Sequence, residues 1–78
     1  MEFEWDETKP LTNLSKHGID FIDVPLVFPV EIVTVEDERF SYGEQRFVTF
    51  GLLQRRVIAI VHTEREEYTR IISALKSN

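Results

Sequence analysis

Arg56-Val57-Ile58-Ala59-Ile60-Val61-His62-Thr63-Glu64 carries apolar side chains on both sides of an extended chain, Val57, Ala59 and Val61 against Ile58 and Ile60. A strand that is apolar on both faces belongs at the centre of a sheet. His62 then leaves the core at the strand's end, which places it near a rim. The same period of two recurs around this segment. Residues 30–36, 45–53 and 68–75 also alternate and are rich in β-branched and aromatic side chains, so they read as strands. The short connections at Gln54-Arg55 and at 65–67 imply an antiparallel meander, whereas 37–44, with Ser41-Tyr42-Gly43, gives a longer loop.

Upstream of the strands the signals are helical. Pro10 opens and Gly18 closes a helix over 10–17 with Leu11 and Leu14 as its apolar stripe. Asp20 is placed to cap a second short helix reaching about Phe28, bent or delayed by Pro25 and ended by Pro29. Phe3-Glu4-Trp5 alternates like a short N-terminal strand. The expected fold class is α+β: two N-terminal helices packed on one face of a four-stranded antiparallel sheet, preceded by that short strand.

A chain of 78 residues has room for one hydrophobic core. Folding at this size buries only roughly 60 to 65 per cent of the unfolded surface, which leaves an obligate partner or a dimer to supply part of the stability. There is no cysteine, hence neither a disulfide nor a thiolate zinc site. Nothing at the N-terminus reads as a signal peptide and no apolar run approaches a membrane span, so the expectation is a soluble cytoplasmic protein without membrane contact.

The net charge of −5 speaks against nucleic acid as a whole-surface partner. Its distribution speaks differently. Residues 1–40 carry ten acids against Lys9, Lys16 and Arg39, whereas residues 41–78 carry four acids against six bases. An acidic half can face a basic partner while the basic half faces a substrate, although short chains also reach such asymmetry by chance.

His62, Arg65 and Arg70 form the set with the clearest chemistry. An imidazole titrating near neutrality and two guanidiniums on adjoining segments are the groups that grip and cleave a phosphodiester. Each has a plainer reading. His62 can hydrogen-bond to backbone at the end of a buried strand, Arg65 can pair with Glu64, Glu66 or Glu67, and Arg70 in an apolar strand must be paired or at an edge. Lys16 and Asn13 share a helix face that can simply be solvated, and His17 suits the helix C-terminus. The adjacent acids Glu36-Asp37-Glu38 read as solvated, so no metal site is expected. Phe47 and Phe50 differ by three positions and point to opposite sheet faces, which builds core and leaves one of them free to face a partner. The chain has no glycine-rich phosphate loop, no zinc spacing and no serine in a nucleophile-elbow context.

Several blocks together carry a family resemblance. Phe3-Glu4-Trp5-Asp6, Lys9, Asn13, Lys16-His17-Gly18, Phe21 and Val27-Phe28, followed by Gly43-Glu44-Gln45-Arg46-Phe47, Gly51, Val61-His62-Thr63-Glu64-Arg65 and Arg70-Ile71-Ile72-Ser73-Ala74, resemble BrnT-type toxins in order and approximate spacing across nearly the whole chain. The resemblance implies a RelE-like fold and a ribonuclease toxin of a type II toxin–antitoxin pair. It implies a BrnA-type antitoxin with a ribbon-helix-helix domain, a dimer or heterotetramer, and operon repression in which DNA is touched only through the antitoxin.

On that reading RNA is cut without a metal or other cofactor. The 2′-hydroxyl attacks the neighbouring phosphate, His62 acts as acid or base, Arg65 and Arg70 clamp phosphate oxygens, and Lys16 and Arg46 extend a basic RNA-binding rim. Two departures matter, the first for activity and the second for the helix geometry rather than the chemistry. Members of the family usually continue into an arginine-rich helical tail where this chain reads Leu75-Lys76-Ser77-Asn78, and Pro25 replaces a helix former. The alternative expectation is therefore a truncated, non-catalytic homologue that binds antitoxin and acts as a co-repressor.

Overall fold

The hairpin that begins at Phe47 sits in the middle of a sheet whose strands come from both ends of the chain. A computed structural model describes residues 2–38 and 43–77. In chain order its elements are β1 (Glu2–Trp5), α1 (Pro10–His17), two 3₁₀ segments (Phe21–Leu26 and Phe28–Val30), β2 (Glu31–Glu36), β3 (Phe47–Leu53), β4 (Arg56–Glu64) and β5 (Tyr68–Lys76). The strands form one sheet in the order β1-β5-β4-β3-β2. Part of the long loop expected over 37–44 falls on residues 39–42, outside the described residues.

The expected arrangement of two helices on a four-stranded antiparallel sheet is corrected on both counts. The sheet is five-stranded and mixed, because β1 runs parallel to β5 with Glu2 opposite Tyr68 and Trp5 opposite Ile71. The reason lies in the outer side of β5. β4 pairs with one side of its nine residues only, and the uncovered other side would present unpaired N–H and C=O groups. The whole domain lies between β1 and β5, so the chain can return in the parallel sense.

Only one of the two helices forms. Asp20 does cap the second segment, its Oδ1 accepting from the Ile22 N–H at 3.1 Å, but Pro25 has no N–H to give to an α-helical ladder. The chain winds as two 3₁₀ segments instead, the second of which contains Pro29.

Those segments still supply the core. Phe21, Val24 and Val27 are buried against Ile58, Ile60, Ile71 and Ala74, with Phe3, Trp5, Phe28 and Leu53 packed around them. The approach to β3 is close: a Cβ at Gly51 would meet Val27 Cγ1 at 2.5 Å and the Val27 carbonyl at 3.0 Å. Only glycine lets the 3₁₀ segments lie down on the sheet here. On the opposite face Val35, Val48, Phe50, Val61 and Leu75 line an apolar hollow of about 400 Å³ that none of the described helical segments covers.

Past Ile71, β1 ends and the outer edge of β5 has no strand beside it. Asn13 of α1 takes that place. Its Nδ2 donates to the carbonyls of Ala74 and Ile19, both at 2.9 Å, and its Oδ1 accepts from the Ala74 N–H at 3.1 Å. One buried amide thus substitutes for a missing strand, a role that the solvated-face reading of this helix did not contain.

Candidate functional site

His62 is drawn into the molecule rather than onto its rim. The β4–β5 register slips between Val61 and His62, so that His62 lies opposite Ile71, and the ring is sandwiched by Phe28 edge-on at 5.2 Å and Phe47 stacked at 5.9 Å. The residue is only 3% exposed. Phe47 faces the covered side of the sheet and Phe50 the open side, as their spacing requires.

Both ring nitrogens are engaged. Nε2 lies 2.7 Å from Thr49 Oγ1 and Nδ1 lies 2.6 Å from Glu64 Oε2. The contacts extend in both directions. Thr49 Oγ1 lies 2.7 Å from Thr34 Oγ1, Thr34 donates to Glu31 Oε2 at 2.6 Å, and Thr69 donates to Glu64 Oε1 at 2.8 Å. A single hydrogen-bonded chain therefore crosses β2, β3, β4 and β5 under a hollow of about 240 Å³, whose rim carries Phe28, Phe47 and the carboxylates of Glu31 and Glu64. Alternation puts Thr34, Thr49 and His62 on one sheet face, with Thr34 opposite Thr49 and His62 opposite Phe47, two residues along β3 from Thr49. Burial pushes the His62 pKa below the ordinary imidazole value, with the hydrogen bond and charge of Glu64 and the charge of Glu31 opposing it.

The other expected residues lie elsewhere. Arg65 donates to Glu44 Oε1 at 3.1 Å, and Arg46 approaches the same carboxylate at 4.0 Å, so these two cations converge on Glu44. Arg70 is on β5 opposite Glu4 of β1 and is hydrogen-bonded to the Glu4 carboxylate, which raises its pKa. Lys16 is exposed on α1, beside Asn13 and His17 in a shallow depression that shares no residue with the hollow over His62.

The structure thus joins Arg46 to Arg65 but places neither Arg70 nor Lys16 at the His62 hollow, and among the described residues no lysine or arginine lines that hollow. Glu64, Thr49, Thr34 and Glu31 were missed as partners of His62. Glu64 was legible as the i+2 neighbour on the same strand face, but the threonines become visible only once the strand register is known. Among the described residues no group of three or more histidines and acids is arranged to hold a metal ion, and no helix is long and apolar enough to cross a membrane.

A comparison with individually curated proteins gives no match. A family model described as the ribonuclease toxin BrnT of type II toxin–antitoxin systems matches residues 5–78, which span β1's last residue, the Asn13 clasp and every strand of the His62 chain. On that match the chain belongs to the BrnT family of ribonuclease toxins, whose members act within type II toxin–antitoxin systems and so have a protein antitoxin as partner.

Proposed function

We propose that this protein is an endoribonuclease that cleaves RNA without a metal, by attack of the 2′-hydroxyl on the adjacent phosphate, with acid–base chemistry centred on His62. The observation that carries the reading is the imidazole held between the Glu64 carboxylate and the Thr49 hydroxyl beneath an aromatic-walled hollow. A histidine oriented by a carboxylate is a general acid–base arrangement, and its depressed pKa keeps the ring neutral, in its base form, at neutral pH. Arg65 and Arg46 are the cations assigned to phosphate, released from Glu44 when RNA takes its place. Arg70 and Lys16 serve longer RNA as outlying positive charge. A BrnA-type ribbon-helix-helix antitoxin neutralises the activity, the two assembling as a heterotetramer, and DNA is reached only through it.

One observation favours a second reading. The hollow carries two carboxylates, and among the described residues no lysine or arginine lines it to hold a phosphate. A homologue that binds antitoxin and co-represses without cutting RNA would need none. Incubating the folded protein with free RNA in EDTA, beside His62→Ala and Arg65→Ala, separates the two. Cleavage that falls by ~10² to 10⁴-fold in His62→Ala supports the ribonuclease. Intact RNA with the folded parent chain supports the co-repressor.

A further inference from the structure

We infer that the group touching the RNA hydroxyl is the carboxylate of Glu64, with His62 behind it as the residue that positions Glu64 and stores the proton it takes. The inference rests on the ribonuclease reading but comes from a different observation: His62 has no ring nitrogen left for a substrate. Nε2 and Nδ1 are both within 2.7 Å of protein atoms, and the ring is buried between two aromatic residues. The Glu64 side chain, by contrast, is 45% exposed and lines the hollow.

The direction of every hydrogen bond in the chain follows from counting protons. An ionised Glu31 only accepts, so Thr34 gives it its one hydroxyl proton. Thr49 must then donate to Thr34, which spends the Thr49 proton, and Nε2–H must donate to Thr49. A neutral imidazole has one N–H, so Nδ1 is left bare, facing an acceptor-only carboxylate oxygen at 2.6 Å. Two lone pairs at that distance repel, and a proton placed between them relieves the repulsion. Glu64 and His62 together are one proton short, and the shortage lies at the member that reaches the hollow. Thr69 donates to the other oxygen of Glu64 at 2.8 Å, which favours the carboxylate orientation that faces the ring. The charged groups that face the ring are Glu64 on its own strand and Glu31 from β2.

In the reaction the 2′-O–H bond of RNA breaks and its proton passes to Glu64 and on to His62 Nδ1. The freed oxygen bonds to the adjacent phosphorus as the bond from phosphorus to the 5′-oxygen breaks, and that oxygen leaves with a proton from water. The products are a 2′,3′-cyclic phosphate and a 5′-hydroxyl. The stored proton then returns to solvent through Glu64. Glu64 is on this account the catalytic residue and His62 a positioning residue.

Two measurements test this on Glu64→Gln, Glu64→Asp and Thr49→Val in the full chain. The first follows the His62 ring by proton NMR across pH, without RNA. Loss of the carboxylate should move the imidazole titration to lower pH in Glu64→Gln and leave it near the parent value in Glu64→Asp; an unmoved titration in Glu64→Gln overturns the shared proton whether or not the protein cuts RNA. The second is the pH–rate profile of single-turnover cleavage. Glu64→Gln should lose ~10²-fold or more and its dependence on pH, Glu64→Asp should recover part of the rate, and Thr49→Val should keep cleaving with the acid limb displaced. Cleavage by Glu64→Gln within about threefold of the parent, with loss in His62→Gln, overturns the assignment of Glu64. If the parent cuts no RNA, the ribonuclease reading and the catalytic role of Glu64 fall together, while the proton-sharing pair stands or falls by the NMR result.

Discussion

The two edges of the sheet are finished in opposite ways. At the β5 edge much of the backbone has a partner: β1 pairs with Tyr68–Ile71, and the Asn13 amide takes both the N–H and the C=O of Ala74. At the other edge β2 lies open, with all six of its residues exposed, Ile32, Val33 and Val35 among them. The closed edge is made by chain segments that are distant in sequence, and it ties the N-terminus to the C-terminal strand. The open edge carries Glu31 and Thr34, the outer end of the hydrogen-bonded chain that runs inward to His62. Stability is thus concentrated at one edge, while the chemistry begins at the other and ends one strand short of the seal, at Thr69.

The strongest way to break this contrast is Asn13→Ala. It deletes three buried hydrogen bonds and leaves the Ala74 N–H and C=O without a partner in a dry edge, at about 1–3 kcal/mol for each orphaned group. A loss of roughly 3 kcal/mol or more is expected in urea unfolding, a large share of the stability of a domain this small. A loss below about 1 kcal/mol would mean that water replaces the amide and that the β5 edge is not sealed by it.

Acid should act next most strongly, and through the middle of the sheet. The folded His62 pKa lies below the ordinary value of 6.5, so the unfolded chain takes up a proton before the folded one does. The contribution is fully present above pH ~6.5 and is lost as pH falls below it, at up to ~1.4 kcal/mol per pH unit, until the folded pKa is reached. Unfolding midpoints measured from pH 7 to pH 5 should fall for the parent and flatten in His62→Gln. An equal slope in both would place the titration on another group.

The residues that made the sequence readable are those whose role is local. Pro10 and Gly18 bracket α1 because their backbone preferences are fixed by the residue itself, and Gly18 does close the helix with φ +74°. Ile58 and Ile60 against Ala59 mark the central strand by alternation alone. The parallel β1–β5 pair and the Asn13 clasp are contacts between residues some sixty positions apart, and no local pattern carries them. Pro25 was legible as an obstacle to the second helix, but its outcome, a pair of 3₁₀ segments, depended on Gly51 leaving room for Val27. At the site, His62 was recognisable as a titrating residue, whereas its burial was decided by Phe28 and Phe47 folding over it. The guanidiniums were visible as charges, but each settles on a carboxylate from another strand or loop, Arg70 on Glu4 and Arg65 on Glu44.

Between the two edges, the β3–β4 hairpin sharpens the comparison with a gain rather than a loss. Gln54 and Arg55 both turn with positive φ, 51° and 67°, the conformation of a two-residue turn that favours Asn-Gly. Gln54→Asn with Arg55→Gly removes the strain that non-glycine side chains meet there and should stabilise by about 1 kcal/mol. Both residues are exposed, so the gain should appear without any change at His62.

The smallest effect is expected at the open edge itself. Ile32→Lys replaces an exposed apolar side chain on β2, and an exposed position with no special backbone role usually changes stability by no more than ~0.5 kcal/mol. For a domain of this size that is a shift of about 2–4 °C in the thermal midpoint. A shift within that range leaves the sealed β5 edge as the seat of stability and the β2 edge as a surface that the fold can change cheaply. A drop several times larger would show that Ile32 is covered in solution by something the single chain lacks, and the contrast between the edges would then belong to the isolated protomer alone.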